Sequence, residues 1–242
     1  MFIERIEAEI NQIDGANSLD ELHRAIVATK VALGFHFYAF IQSNNGRSTG
    51  GLLLQDYPES WIQLQSETFG YAHSPILQHA SQSATPFEWH ELPNLLALSN
   101  DQLRYLKLAA GHGLASGYTI PIHAPGEASA LVSFVNPEST PIDRERLPLA
   151  MFVASRVFAV GSRIRRASEA SISRISNADA RVITLVCRGH SKRTIAQRLG
   201  IDVSDVGRAI VRGCKHYRVG SQTEMIVHAL YERSIRFEDV IR

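Results

Sequence analysis

The chain has 242 residues, 45% apolar and 20% charged, with a formal net charge of +1; that is ordinary globular composition, with room for one large domain or two unequal ones. No apolar run approaches the roughly 18 uninterrupted residues of a membrane span. The acidic, amphipathic start Met1-Phe2-Ile3-Glu4-Arg5 is unlike a signal peptide, and two cysteines, Cys187 and Cys214, are too few for a disulfide scaffold and fit a reducing cytoplasm.

From the N-terminus, Phe2 to Ile13 and Ser18 to Leu33 have the periodicity of amphipathic helices. Phe35 to Gln42 alternates and is rich in aromatics, and Gly50 to Leu54 is a second short run; both predict strands. Pro75 to Ala80 and Asp101 to Ala110 predict helices. Gly117 to His123 and Ala128 to Val135 predict two strands joined by the turn Ala124-Pro125-Gly126-Glu127. A long helix follows from Asp143 to Arg166. This order predicts an α+β fold, an N-terminal α/β/α sandwich around a mostly antiparallel sheet, over residues 1–165. Residues 166–174 are expected to be a linker.

Residues 175–242 predict a separate unit of four short helices. Ala178 to Cys187 carries Val182, Ile183, Leu185 and Val186 on one face and ends at Gly189. Ser191 suits the cap of a helix from Lys192 to Leu199, which Gly200 stops. Asp202 or Ser204 suits the cap of a third helix reaching about Tyr217, and a fourth runs from Gln222 to Ser234. A tight glycine-containing turn between the second and third helices makes a helix-turn-helix, whose third helix enters the major groove of double-stranded DNA. The charge distribution agrees: residues 172–242 hold 13 Lys/Arg against 7 Asp/Glu, net +6, whereas residues 1–171 are net −5. Arg208, Arg212 and Lys215 recur at i, i+4 and i+7 on the third helix, and Lys192 and Arg193 open the second, where phosphate contacts are made. Basic residues at such spacing also occur on any solvated helix, so the frame around them carries the assignment.

The run Gly189-His190-Ser191-Lys192-Arg193-Thr194-Ile195-Ala196-Gln197-Arg198-Leu199-Gly200-Ile201 resembles the signature of LuxR-type transcription regulators. Four N-terminal segments resemble the same family, in its order: Leu33-Gly34-Phe35-His36-Phe37-Tyr38-Ala39-Phe40, Tyr57-Pro58-Glu59-Ser60-Trp61, Pro86-Phe87-Glu88-Trp89, and Gly113 to Pro121. The resemblance implies an autoinducer-binding-like sensor domain over 1–165 and a DNA-binding domain over 175–242. It also implies a small-molecule signal, an acyl-homoserine lactone or another compound. Residue by residue, Trp61 matches the tryptophan whose indole N–H donates to the lactone carbonyl, Trp89 one that packs at the lactone ring, Tyr57 an aromatic on the acyl side, and Ser133 a hydroxyl beside the ligand's carbonyl region.

Two positions depart from the pattern. The family tyrosine four residues after the first tryptophan is Gln65 here, and the family aspartate that accepts the ligand's amide N–H is Ser74. A charge-assisted hydrogen bond contributes roughly 1.5–3 kcal/mol against about 1 for a neutral one, so an ordinary lactone loses about tenfold or more in affinity. In the third helix Asp205 replaces a usual threonine, Gly207 and Gly213 each cost roughly 1 kcal/mol against alanine, and the exit reads His216-Tyr217-Arg218-Val219. Two functions are therefore weighed: a ligand-responsive regulator resting on Trp61, Trp89 and Ser133, and a ligand-independent regulator or antagonist that pairs with a related subunit. The tryptophans also suit plain core packing. We expect no catalytic, metal or cofactor site: HExxH, GxSxG and a phosphate loop are missing, and His73 beside Ser74 is an adjacent pair only. A cytoplasmic homodimer or heterodimer is expected, with the long helix from Asp143 and the fourth helix near Met225 to Leu230 as candidate surfaces.

Overall fold

The structure, a computed structural model, describes residues 2–43, 51–69, 73–124, 127–137, 140–169, 175–232 and 234–241. Gly50, the turn residues Pro125 and Gly126, and the linker segment 170–174 lie outside the described residues. The chain divides into two compact units, one from residues 1–123 and 128–167, the other chiefly from residues 168–242.

The larger unit is a three-layer sandwich. Helices α1 (Phe2–Gly15) and α2 (Leu19–Ala32) come first. Ser18 is the N-cap of α2, its Oγ accepting from Glu21 N at 3.2 Å. Strand β1 (Phe37–Gln42) starts two residues later than expected, because Gly34, at φ +84°, and Phe35 close α2: Phe35 N donates to Lys30 O at 2.9 Å. β2 (Leu52–Gln55), β3 (Phe87–Glu88), β4 (Ser116–Ile122) and β5 (Ala130–Asn136) complete a sheet of order β2-β1-β5-β4-β3 with every pairing antiparallel. Between them lie α3 (Glu59–Leu64), a π turn (Gln65–Phe69), α4 (Pro75–Gln82), α5 (Leu92–Leu95) and α6 (Asn100–Gly111). The 23-residue α7 (Leu147–Glu169) ends the unit; it continues through 166–169, where a linker was expected.

Strand alternation sorts side chains between the two faces. Tyr38, Phe40, Val132, Phe134, Tyr118 and Ile120 face one way and join Leu22, Ile26, Val153 and Val157 of α2 and α7 in an apolar core. α7 has the length and hydropathy of a membrane span; Ala150, Val153, Ala154, Val157 and Val160 account for that by packing into this core. Phe37, Ile41, Leu131 and Val135 face the other way, toward Trp61, Ile76, Leu92, Tyr105 and Ala109. Register aligns one row across this second face: Gln55, Ala39, Ser133, Thr119 and Phe87 are successive partners.

The smaller unit holds α8 (Asn177–Cys187), α9 (Lys192–Leu199), α10 (Val203–Tyr217), α11 (Gln222–Tyr231) and α12 (Phe237–Val240). Ser191 caps α9, accepting from Thr194 N at 3.2 Å. Gly200, left-handed at φ +65°, stops it, and three residues lead into α10. Asp202 holds the N-cap position of α10 without a side-chain cap bond. Val182, Val186, Ile195, Ala196, Val206 and Ala209 bring α8, α9 and α10 together, and Ile183, Tyr217, Met225 and Ala229 seat α11. α11 ends at Tyr231, short of the expected Ser234, because the chain turns there and Ile235 N donates to Ala229 O. α12 has too little periodicity to be predicted; Arg188 Nε fixes it by donating to Asp239 O at 2.7 Å.

The two glycines of α10 differ. A Cβ on Gly213 would lie 2.5 Å from Met225 Sδ and 3.1 Å from Ile183 Cδ1, so this residue permits the close approach of α8 and α11. A Cβ on Gly207 would meet nothing within 4 Å. The helix closes on Arg218 at φ +55°, a left-handed position that favours glycine.

Candidate ligand cavity and nucleic-acid interface

A cavity lies between the second face of the sheet and the helices over it. Ala39, Ile41, Gln55, Leu131 and Ser133 form its floor, and Tyr57, Trp61, Gln65, Ser74, Ile76, Leu77, Trp89, Tyr105, Ala109 and Leu114 its walls. All six residues singled out for a ligand (Tyr57, Trp61, Gln65, Ser74, Trp89 and Ser133) line this one space. The cavity is small, about 30 Å³, room for about two waters. A drug-sized ligand therefore enters only as the walls move. None of the lining residues carries a formal charge.

The two tryptophans are held differently. Trp61 is 1% exposed and meets Tyr105 edge-on, with ring centroids 5.1 Å apart at 82°. Behind it His112 lies 6.0 Å away and is fixed by Ser60 Oγ, 2.9 Å from its Nδ1. Among the described residues the Trp61 indole N–H donates to no acceptor. The Trp89 indole N–H donates to Thr119 Oγ1 at 2.9 Å, and Thr119 Oγ1 lies 2.7 Å from Ser133 Oγ. Gly117 makes this possible: a Cβ there would lie 2.3 Å from the indole ring of Trp89.

Gln65 and Ser74 also have internal partners. Gln65 Nε2 donates to Tyr105 OH at 3.0 Å. Ser74 is the N-cap of α4, its Oγ accepting from Leu77 N at 3.3 Å; His73 beside it is exposed while Ser74 is buried, so the two do not share one environment. Sequence reasoning missed Tyr105 and Thr119. Tyr105 gave no local signal within an ordinary amphipathic helix. Thr119 was accessible from strand alternation, two residues from Gly117 and opposite Ser133.

On the smaller unit, Lys192, Arg193, Arg208, Arg212 and Lys215 are all exposed. The structure separates them by what they hold. Arg212 binds Asp179 of α8 in a fork, Nη2 to Oδ1 at 2.6 Å and Nε to Oδ2 at 3.1 Å. Asp179 is 7% exposed, and the Arg212 guanidinium holds its carboxyl below the usual range. Arg212 is thus tied to the fold of its own unit. Arg208 pairs with Asp205 on the helix surface, both well exposed. Cys187 is half-buried, which pushes its thiol up, and Cys214 packs beside Met225.

A model of the autoinducer binding domain matches residues 18–159. The transcriptional activator protein AhyR of Aeromonas hydrophila is 27% identical over 154 residues, 62% of this chain and 59% of AhyR, so the chain matches about three-fifths of that relative's length. The transcriptional activator protein LuxR of Aliivibrio fischeri is 22% identical over 197 residues, 79% of this chain and 78% of LuxR. The crystal structure of Escherichia coli SdiA superposes with a TM-score of 0.76 at 17% identity over the whole of both chains, and SdiA in complex with octanoyl-rac-glycerol with 0.73 at 18% over 94% of each; at such identities the likeness is one of fold. With the domain model spanning more than half of its length, the chain belongs to the LuxR-type family of regulators with an autoinducer-binding domain.

Proposed function

We propose that the chain is a ligand-responsive transcription regulator of the cytoplasm, which binds double-stranded DNA as a dimer. The larger unit takes an uncharged small molecule into the cavity beneath Trp61 and Trp89. The smaller unit is a helix-turn-helix domain: α9 and α10, joined through Gly200, place α10 in the major groove, with Lys192 and Arg193 on phosphates and Arg208 and Lys215 toward the bases. One observation carries the reading of the larger unit: six residues scattered from Tyr57 to Ser133 converge on a single cavity. Trp61 gives it chemistry, since its indole N–H is a donor that suits an acceptor such as a carbonyl oxygen. The structure of SdiA with octanoyl-rac-glycerol shows that this fold elsewhere takes an uncharged acyl compound.

A second reading, a ligand-independent regulator or antagonist acting through a related subunit, draws on Ser74 and Gln65, whose polar atoms serve α4 and Tyr105, and on the small volume of the cavity. Native mass spectrometry of the whole chain, expressed and then exposed to cell extract, separates the two. A retained small molecule, lost in Trp61→Phe, supports the first. A well-folded protein that stays empty while forming mixed dimers on DNA supports the second.

A further inference from the structure

Helix α10 buries Val206, Ala209, Gly213 and Tyr217. Its opposite side presents Ser204, Arg208, Val211 and Lys215, a ridge at spacings of four, three and four residues, all exposed. Val211 sits in the middle of this ridge and is 54% exposed. The apolar seam of α10 is complete without it, and a β-branched residue on the solvent side of a helix is worse than alanine. One turn earlier Gly207 has open space around it, so the backbone there can come close to a flat surface. Arg212, the next neighbour, is drawn aside to Asp179. What remains is a bare apolar side chain between Lys215 and Arg208, the latter paired with Asp205 on the helix surface.

We infer that Val211 reads sequence by seating against the 5-methyl group of thymine in the major groove, an inference that rests on the DNA-binding reading above. The thymine methyl is the apolar feature the major groove offers among polar base edges. A surface flanked by Arg208 and Lys215 suits a polyanion rather than an apolar protein partner. Arg208, three residues away on the same ridge, carries the guanidinium fork that suits the O6 and N7 acceptors of a neighbouring guanine once it leaves Asp205.

The test uses the full-length protein. Duplex sites are selected from a random library, and each thymine of the best site is replaced in turn by deoxyuridine, which removes the methyl group alone. The expected result is one thymine per half-site whose replacement weakens binding about four-fold, the worth of one buried methyl, and whose effect vanishes in Val211→Ala. Val211→Ala changes an exposed position, so folding is unaffected and the loss is one of base preference. Specific sites at which no thymine responds to deoxyuridine, or at which Val211→Ala responds as the parent does, overturn the role of Val211. Failure to select any site overturns the DNA-binding reading and this inference with it.

Discussion

The two units use the same devices to opposite ends. In the larger unit a glycine without room for a side chain, Gly117, lets Trp89 lie against the sheet beside the cavity, and a buried polar pair, Thr119 and Ser133, borders that same space. In the smaller unit the crowded glycine, Gly213, draws helices together, and a buried carboxylate, Asp179, held by the exposed Arg212, locks α10 to α8. One unit turns these devices inward, around a cavity; the other uses them to join its own helices. An internal partner therefore means different things in the two units. For Trp89 it helps place a ring beside the cavity, whereas for Arg212 it ties an exposed side chain to its own unit.

The largest expected effect tests the inward-facing half of this contrast. Trp61→Ala opens a void under Tyr105 and His112 and should cost about 3–5 kcal/mol, lowering the calorimetric transition of the larger unit and leaving that of the smaller unit in place. Gly213→Ala comes next, pressing a methyl group into Met225 and Ile183, at a cost of about 1–3 kcal/mol in the smaller unit's transition. Gly207→Ala makes the same chemical change on the same helix with the opposite sign. With open space to receive the methyl, it should stabilise by up to about 1 kcal/mol. Equal effects at the two positions in denaturant titrations would remove the distinction between a packing glycine and a free one.

The smallest effect concerns acid. The Asp179 carboxyl has a folded value below its unfolded value of about 3.9, so its contribution is present above that unfolded value and is lost as the pH falls through the folded one. The smaller unit should lose stability on acidification below about pH 4, and Asp179→Asn, less stable at neutral pH, should show a flatter profile there. Unfolding midpoints measured between neutral pH and pH 3 check the slope.

What could be read without coordinates followed the reach of each signal. The bounds of α9 are marked on both sides, by Ser191 and by Gly200, and the expected range matches the observed one. Four of the five strands followed from alternation to within two residues; β3, only Phe87–Glu88, is too short to alternate. The π turn at Gln65–Phe69 and the short α3 have no periodicity of their own, and they lie where Trp61 and Gln65 are placed. Neither Tyr105 nor the Asp179–Arg212 fork could be anticipated, because each depends on partners tens of residues away. Gly213 looked like a defect of the third helix and is a requirement of its packing; Arg218, in a left-handed position that favours glycine, is the actual irregularity.

The distribution of tryptophan has a practical consequence. The chain contains two such residues, and both stand on the wall of the cavity. Excited near 295 nm, the whole protein therefore emits from that one place, while the smaller unit stays dark. Trp89 reports through an indole already paired to Thr119, and Trp61 through one whose N–H is open. Seating an acceptor against Trp61 should shift its share of the emission and leave that of Trp89 nearly fixed, so occupancy can be followed in solution without attaching a dye.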